Sequence, residues 1–314
     1  MTRLNTVGII GTGNVGIAAA YSLFQRQVTS RLILLDRDRR RAEGEAMDLM
    51  HGQSLVGRVS VLAGDYPDLS ECGVIVITAG VSQKPGESRL ELLNRNTAVF
   101  REIAAQLDHH APEAILVIAT NPVDILTHVM QHLSRRPPER IIGTGTMLDT
   151  SRFRAALGDH YGVDPRSVHA YIMGEHGDSE VPIWSTAKVG GLSIHQQTIN
   201  GRDFDAQAMQ RLFLGVKNAA YDIIARKGYT NTAIGLVISH LVRVILEDQK
   251  SVLPVSVNPD GTYGLQGVCL SIPCIIGRDG IEAQVAPLLN PEELKGMQDS
   301  ADVLRRSLQG VQLA

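Results

Sequence analysis

The sequence predicts an α/β protein: a Rossmann-type doubly wound parallel sheet followed by a C-terminal α+β catalytic domain. Two observations carry this. Short apolar runs alternate with amphipathic, helix-like stretches through residues 1–144, and the pattern changes over residues 145–314. A glycine-rich turn follows the first apolar run and opens the first helical stretch. Strands that alternate with helices need crossover connections, so they form a parallel sheet covered on both faces.

In the first half the apolar runs are Thr6–Ile10, Leu32–Leu35, Val59–Leu62, Val74–Thr78, Ile115–Ala119 and Arg140–Ile142. Helical stretches such as Ala18–Gln27, Arg40–Met50 and Asn94–Leu107 lie between them. Six strands suit the dinucleotide-binding plan. In the second half a helix is expected over Thr150–Leu157, a strand over Val168–Met173, and helices over Phe204–Lys227 and Thr232–Leu246. Strands are expected over Val252–Val257, Val268–Ile276 and Ile281–Ala286, with the turns NPDG and RDG between them. In the closing stretch Pro291–Leu308, Leu294, Met297, Ala301, Leu304 and Leu308 recur at helical spacing and mark a core-facing stripe.

Composition narrows the function. Hydrophobic residues make up 44% of the chain and charged residues 20%, with a net charge of -3. That balance fits a globular protein and lacks the clustered basic charge of a nucleic-acid binder. Three cysteines give no disulfide framework and no metal cluster, which suits a reducing, cytoplasmic setting. No apolar run is long enough to cross a membrane, and no A-x-A-type cleavage site follows the apolar N-terminal stretch.

GTGNVG places Gly11, Gly13 and Gly16 in the G-x-G-x-x-G spacing. Gly11 allows the tight turn, Gly13 a close approach to a pyrophosphate, and Gly16 close helix packing, while the amides around Asn14 and Val15 face the phosphates. Asp36 stands twenty residues beyond Gly16, at the end of the second strand, where a carboxylate binds a ribose 2′-hydroxyl. It would repel a 2′-phosphate, so NAD is expected over NADP, although the neighbouring Arg37 works against that preference.

Ten histidines are present, and context singles out His176, flanked by glycine in the loop MGEHGDSEVP after a strand. An imidazole can give and take a proton at neutral pH, as ketone reduction by hydride requires. Asp149 and Arg152, three apart, share one side of a helix. The first can orient an imidazole, and the second can fork a carboxylate. The Gly/Pro-containing segment AGVSQKPGESRLELLNRN reads as a mobile lid or as a plain surface loop, and Arg89 within it could polarise a carbonyl on closure. TNPVD, with Asn121 and Asp124, caps the fifth strand and points into the crevice at the strand ends.

Together, GTGNVG, SQKPGESRLELLNRN, TNPVD, GTGTMLDTSRFR, GEHGDSEVP and KGYTNTAIG span the chain in order. The chain resembles the L-lactate/malate dehydrogenase family. The resemblance implies that His176 is the acid/base, Asp149 its partner, Arg152 the carboxylate anchor and Arg89 the carbonyl polariser, with Asn121 and Asp124 on the substrate side. It implies that Val15, Asp36, Arg41, Tyr66, Gly80, Val81, Ala119, Asn121 and Ile234 line the cofactor site, and that the segment around 230–246 packs back on the cofactor half.

Malate enzymes of the family carry Arg where this chain has Gln83, so a monocarboxylate such as pyruvate is expected. Lactate enzymes of the family usually carry Thr where this chain has Thr230, which implies a pocket narrowed around a methyl-sized group, in the same direction. The rivals are a malate or broader L-2-hydroxy-acid dehydrogenase, a metal-dependent glycosidase of related fold, and a non-catalytic NAD-binding protein. In bacterial members that look like this chain, residues matching Arg154 and His169 bind fructose 1,6-bisphosphate at a subunit interface, so an allosteric homo-tetramer is a further expectation. The first strand begins by about residue 6, which points to a bacterial-type chain without the animal N-terminal arm.

Overall fold

The structure, a computed structural model, describes residues 5–81 and 86–313. The first half alternates as expected: β1 (Thr6–Ile10), α1 (Asn14–Gln25), β2 (Arg31–Leu35), α2 (Arg39–His51), α3 (Gln53–Val56), β3 (Ser60–Ala63), β4 (Val74–Ile77), α4 (Arg89–His110), β5 (Ile115–Ile118), α5 (Val123–Leu133) and β6 (Ile141–Gly143). These six strands are parallel in the order β3-β2-β1-β4-β5-β6. The order reverses between β1 and β4, and ligands of open α/β sheets bind in the crevice at such a switch point. All residues of β1, β4, β5 and β6 are buried, as two helix-covered faces demand.

The second half contains α6 (Met147–Tyr161), β7 (Val168–Met173), β8 (Val181–Val189), β9 (Leu192–Ser193), α7 (Ala206–Lys227), α8 (Thr232–Leu246), β10 (Ser251–Val257), β11 (Leu270–Gly277), β12 (Gly280–Gln284) and α9 (Pro291–Leu308). Its strands divide between two sheets. β7, β8 and β9 form an antiparallel sheet that encloses a separate core with α6 and α7, including Phe153, Leu157, Tyr161, Ile172 and Phe213. β10, β11 and β12 instead extend the first sheet antiparallel beyond β6, where Ser256 pairs with Gly143. One sheet of nine strands thus runs through both halves. α8 returns to pack on α1, so closely that a Cβ at Gly235 would lie 2.7 Å from the Ala18 backbone.

Local chemistry fixes the elements around the crevice. Asp38 caps α2 by accepting from the Arg41 amide, so the basic run at 37–41 straddles a helix start. Ser88 and Glu91 form a reciprocal capping box that starts α4 at Arg89. The end of the chain is pinned along the same helix. Gln312 donates its amide to Asn94 Oδ1 (3.1 Å), and Arg101 donates to the Gln312 carbonyl (2.9 Å). No helix among the described residues is long and apolar enough to cross a membrane.

Candidate active site

The first part of the site lies at the carboxyl ends of β1, β2, β4 and β5. Gly11 adopts φ +99°, and a Cβ there would meet the Ala79 backbone at 2.6 Å. A Cβ at Gly16 would lie 1.9 Å from the Gly11 carbonyl, so the helix start presses directly on the turn. Gly13 is different: its φ is −69°, and a Cβ would meet nothing within 4 Å. Neither backbone conformation nor packing within the chain requires glycine at 13. The open space fits a group from outside the chain, and the amides of Asn14 and Val15 at the α1 N-terminus suit a pyrophosphate.

Asp36 is held beside this cradle. Its Oδ2 accepts from the Thr12 amide (2.7 Å) and the Thr12 hydroxyl (2.9 Å), and its Oδ1 accepts from the Asp38 amide (3.0 Å). Partial burial opposes its charge, but these hydrogen bonds and the nearby Arg41 outweigh burial and hold the carboxyl below its ordinary value. The far wall is rigid as well. Val81 donates its amide to the buried Asn96 (2.9 Å), a Cβ at Gly80 would meet Thr120 at 2.7 Å, and the Thr120 hydroxyl donates to Ala79 (2.8 Å). Ala119 ties its amide to the Ile77 carbonyl, and Tyr66 stands half-buried beyond β3.

The second part is a cleft of about 630 Å³ lined by Arg89 and Leu93 of α4, Asn121 and Pro122, Glu175 and His176, and Arg306 of α9. His176 Nδ1 lies 2.6 Å from Asp149 Oδ2, and Arg152 Nη1 donates to Asp149 Oδ1 at 2.9 Å. A carboxylate only accepts, so Nδ1 carries the hydrogen and Nε2 is the ring atom free to exchange a proton. Burial disfavours an imidazolium, yet the Asp149 charge and hydrogen bond, helped by Asp124 and Glu180, lift His176 to about 9. Burial likewise opposes the Asp149 charge, but His176 and Arg152 hold its carboxyl below the ordinary value.

Asp124 occupies a different position from a residue open to the crevice. It is 2% exposed, and its Oδ2 accepts the His176 backbone amide at 2.7 Å. Burial raises it to about 6, with the nearby Ser256 hydroxyl and the His176 amide hydrogen bond opposing. The loop carrying His176 is therefore fastened from β5's side by Asp124 and from α9's side by Ser300, whose hydroxyl accepts the Glu175 amide (2.7 Å).

The fold thus gathers Arg89, Asn121 and His176 around one cleft, with Asp149 and Arg152 behind His176. Thr230 and Ile234 lie half-buried where α7 gives way to α8. Gln83 lies outside the described residues. Arg154 is turned elsewhere, donating Nε to the Ala170 carbonyl (3.0 Å) and stacking over Tyr171 (5.2 Å), beside the exposed His169. Two residues escaped the sequence reading: Thr12, hidden inside the glycine motif, and Glu180, inside the His176 motif. Among the described residues no group of three or more His, Cys, Asp or Glu side chains is placed to hold a metal ion.

Comparison with known proteins agrees with this architecture. The family model for the lactate/malate dehydrogenase NAD binding domain matches residues 5–143, and that for the alpha/beta C-terminal domain matches residues 146–312. An L-lactate dehydrogenase of Salinibacter ruber is 60% identical over 308 residues, covering 98% of each chain. One of Gloeobacter violaceus is 47% identical, covering 99% of this chain and 94% of the relative. The crystal structure of MGS-M5, a lactate dehydrogenase enzyme from a Medee basin deep-sea metagenome library, superposes with a TM-score of 0.95 at 39% identity, covering 98% of each chain. The chain carries an NAD-binding domain and belongs to the lactate/malate dehydrogenase family.

Proposed function

We propose that this chain is an L-lactate dehydrogenase, reducing pyruvate with NADH and oxidising L-lactate with NAD. The observation that carries the reading is Asp149, whose two oxygens hold His176 and Arg152 on one carboxylate. The Arg152 guanidinium forks the pyruvate carboxylate. Asn121 and Arg89 hydrogen-bond the ketone oxygen from the cleft wall, and their positive and dipolar groups stabilise negative charge developing there. His176 Nε2 gives its proton to that oxygen, and Asp149 keeps the imidazole oriented. NADH, held by the cofactor contacts assigned below, would supply a hydride, so that with the proton from His176 the ketone carbon and oxygen would each gain one hydrogen. In the reverse direction neutral His176 takes the hydroxyl proton. Asp124 holds the His176 loop from below the substrate.

The cofactor contacts we assign are Gly11, Gly13, Asn14, Val15, Gly16, Asp36, Arg41, Tyr66, Gly80, Val81, Ala119, Asn121 and Ile234. Residues 1–144 form the cofactor half and 145–314 the substrate half. Gln83 and Thr230 set the choice of pyruvate over oxaloacetate and bulkier 2-oxo acids. A malate or broader L-2-hydroxy-acid dehydrogenase is the competing reading. NADH oxidation with pyruvate, oxaloacetate and 2-oxoisocaproate in parallel tests it, and pyruvate is expected to dominate. Gln83→Arg should move preference toward oxaloacetate; an unchanged ratio would remove the specificity assignment. Working in the cytoplasm as a homo-tetramer, the enzyme responds to fructose 1,6-bisphosphate through Arg154 and His169. Superimposable pyruvate saturation curves with and without the bisphosphate would sink that part.

A further inference from the structure

Glu180 ends the loop that carries His176 and directly precedes β8. It is 8% exposed, and its Oε1 has no hydrogen-bond partner among the described residues. The mechanism above gives it no task. The loop holds it in place, since its amide donates to the Gly177 carbonyl at 3.2 Å. The charges acting on it are Asp149 and Arg152 from α6, His176 from the loop and Lys217 from α7. Burial, and then repulsion by Asp149, push its carboxyl up to about 8 against the pull of the three cations.

A buried acid without donors is better tolerated uncharged. With Glu180 neutral, the cations Arg152, Lys217 and protonated His176 and the anions Asp149 and Asp124 leave a single positive charge in the cluster. A monocarboxylate substrate then completes a neutral set. If Glu180 ionises, the cluster is already neutral, and the same substrate would bury an excess negative charge.

We propose that Glu180 is a positioning residue for substrate binding: as an uncharged acid it leaves Arg152 available to the substrate carboxylate, and once ionised it competes for that guanidinium. Pyruvate binding and the Glu180 proton are therefore linked: each favours the other. The proposal rests on the reading of Arg152 as the pyruvate anchor.

Steady-state kinetics of wild type and Glu180→Gln with NADH and pyruvate across alkaline pH test it. Between about pH 8 and 9 the wild-type KM for pyruvate should climb by up to about tenfold while kcat holds, because saturating substrate restores the proton. In Glu180→Gln the KM should stay nearly flat over that range. If both proteins turn over pyruvate and the KM climbs equally in both, the role of Glu180 is overturned and the substrate reading stands. If neither turns over pyruvate, the substrate reading falls and takes this proposal with it.

A measurement on wild type alone covers a variant that does not fold. Infrared difference spectra of the holoenzyme with NADH should contain a protonated-carboxyl band that survives at neutral pH and vanishes on the alkaline side. Adding oxamate, the unreactive amide analogue of pyruvate, should move that loss to higher pH. Absence of the band at neutral pH overturns the proposal, as does a band that oxamate leaves in place.

Discussion

The cofactor cradle and the reaction centre are built on opposite principles. The cradle is centred on one local turn, Gly11 to Gly16 with Thr12 inside it, which Asp36 and the ends of β4 and β5 join from farther along the chain. Its demands are on shape, because backbone passes backbone too closely for a side chain. The reaction centre draws on segments at 89, 121–124, 149–152 and 176–180, and its demands are on charge. One region therefore fails when an atom is added, the other when a charge is removed.

Substitutions can sharpen that contrast. The largest effect is expected for Asp149→Asn, which keeps the volume and removes the charge. Breaking a buried pair on one side costs about 3–5 kcal/mol, so kcat/KM for pyruvate should fall by roughly a hundredfold to several thousandfold. With His176 as the proposed proton donor, wild-type kcat/KM should carry, beyond the Glu180-linked rise in KM, an alkaline limb near 9. Without the carboxylate that favoured imidazolium, burial dominates and the alkaline limb should move acidwards, toward the ordinary value of about 6.5 or below. A limb that stays in place would mean that Asp149 does not set the His176 proton.

Two glycines in one motif give the next effect. Gly16→Ala drives a Cβ to 1.9 Å from the Gly11 carbonyl and should cost about 1–3 kcal/mol of stability or more, seen in denaturant unfolding. Gly13→Ala meets nothing in the chain and should leave unfolding within about 0.5 kcal/mol of wild type. Its NADH Kd, read by fluorescence titration, should nonetheless rise by about tenfold or more, because the Cβ occupies cofactor space. Equal NADH affinity in Gly13→Ala and wild type would refute the cradle.

The smallest effect tests where shape and charge meet. Thr12→Val keeps the shape and removes one donor from the Asp36 carboxylate, a loss of about 0.5–1.5 kcal/mol. The ratio of kcat/KM for NADH over NADPH should drop by up to about tenfold, with Thr12→Ser retaining it. An unchanged ratio in Thr12→Val would show that the Asp38 and Thr12 amides alone fix the carboxylate.

The same contrast explains what the sequence makes visible. The cradle is legible because its residues are neighbours and the glycines are demanded by geometry. The six parallel strands are legible as apolar runs bounded by turns. α5 shows the helical period, with Asp124, Thr127, His128, Gln131 and His132 along one side, but the usual inference that such a face meets solvent fails, since every residue from Val123 to Met130 is buried. β8 alternates inward and outward, but the pattern breaks at Ser185, exposed where a buried residue is due, with its amide donating to Glu293 of α9 (2.9 Å). Membership of β10 in the first sheet depends on a partner at Gly143, more than a hundred residues away, and no local pattern encodes it.

At the site, His176, Asp149 and Arg152 are readable as residue types with suitable chemistry. Their union on one carboxylate appears only when α6 is laid behind the His176 loop. Asp124, Thr12 and Glu180 stand inside recognisable motifs, yet their partners are set by the fold: the His176 amide, the Asp36 carboxylate and the charges of α6 and α7.

The continuous nine-stranded sheet limits how this protein could be taken apart. A fragment cut after β6 would end in an open strand edge, where β10 normally pairs, and would bare the face of α1 that α8 covers. Exposed edges template pairing with other chains. The cofactor half is therefore not a portable module: its solubility and its shape are completed by residues that the chain supplies last.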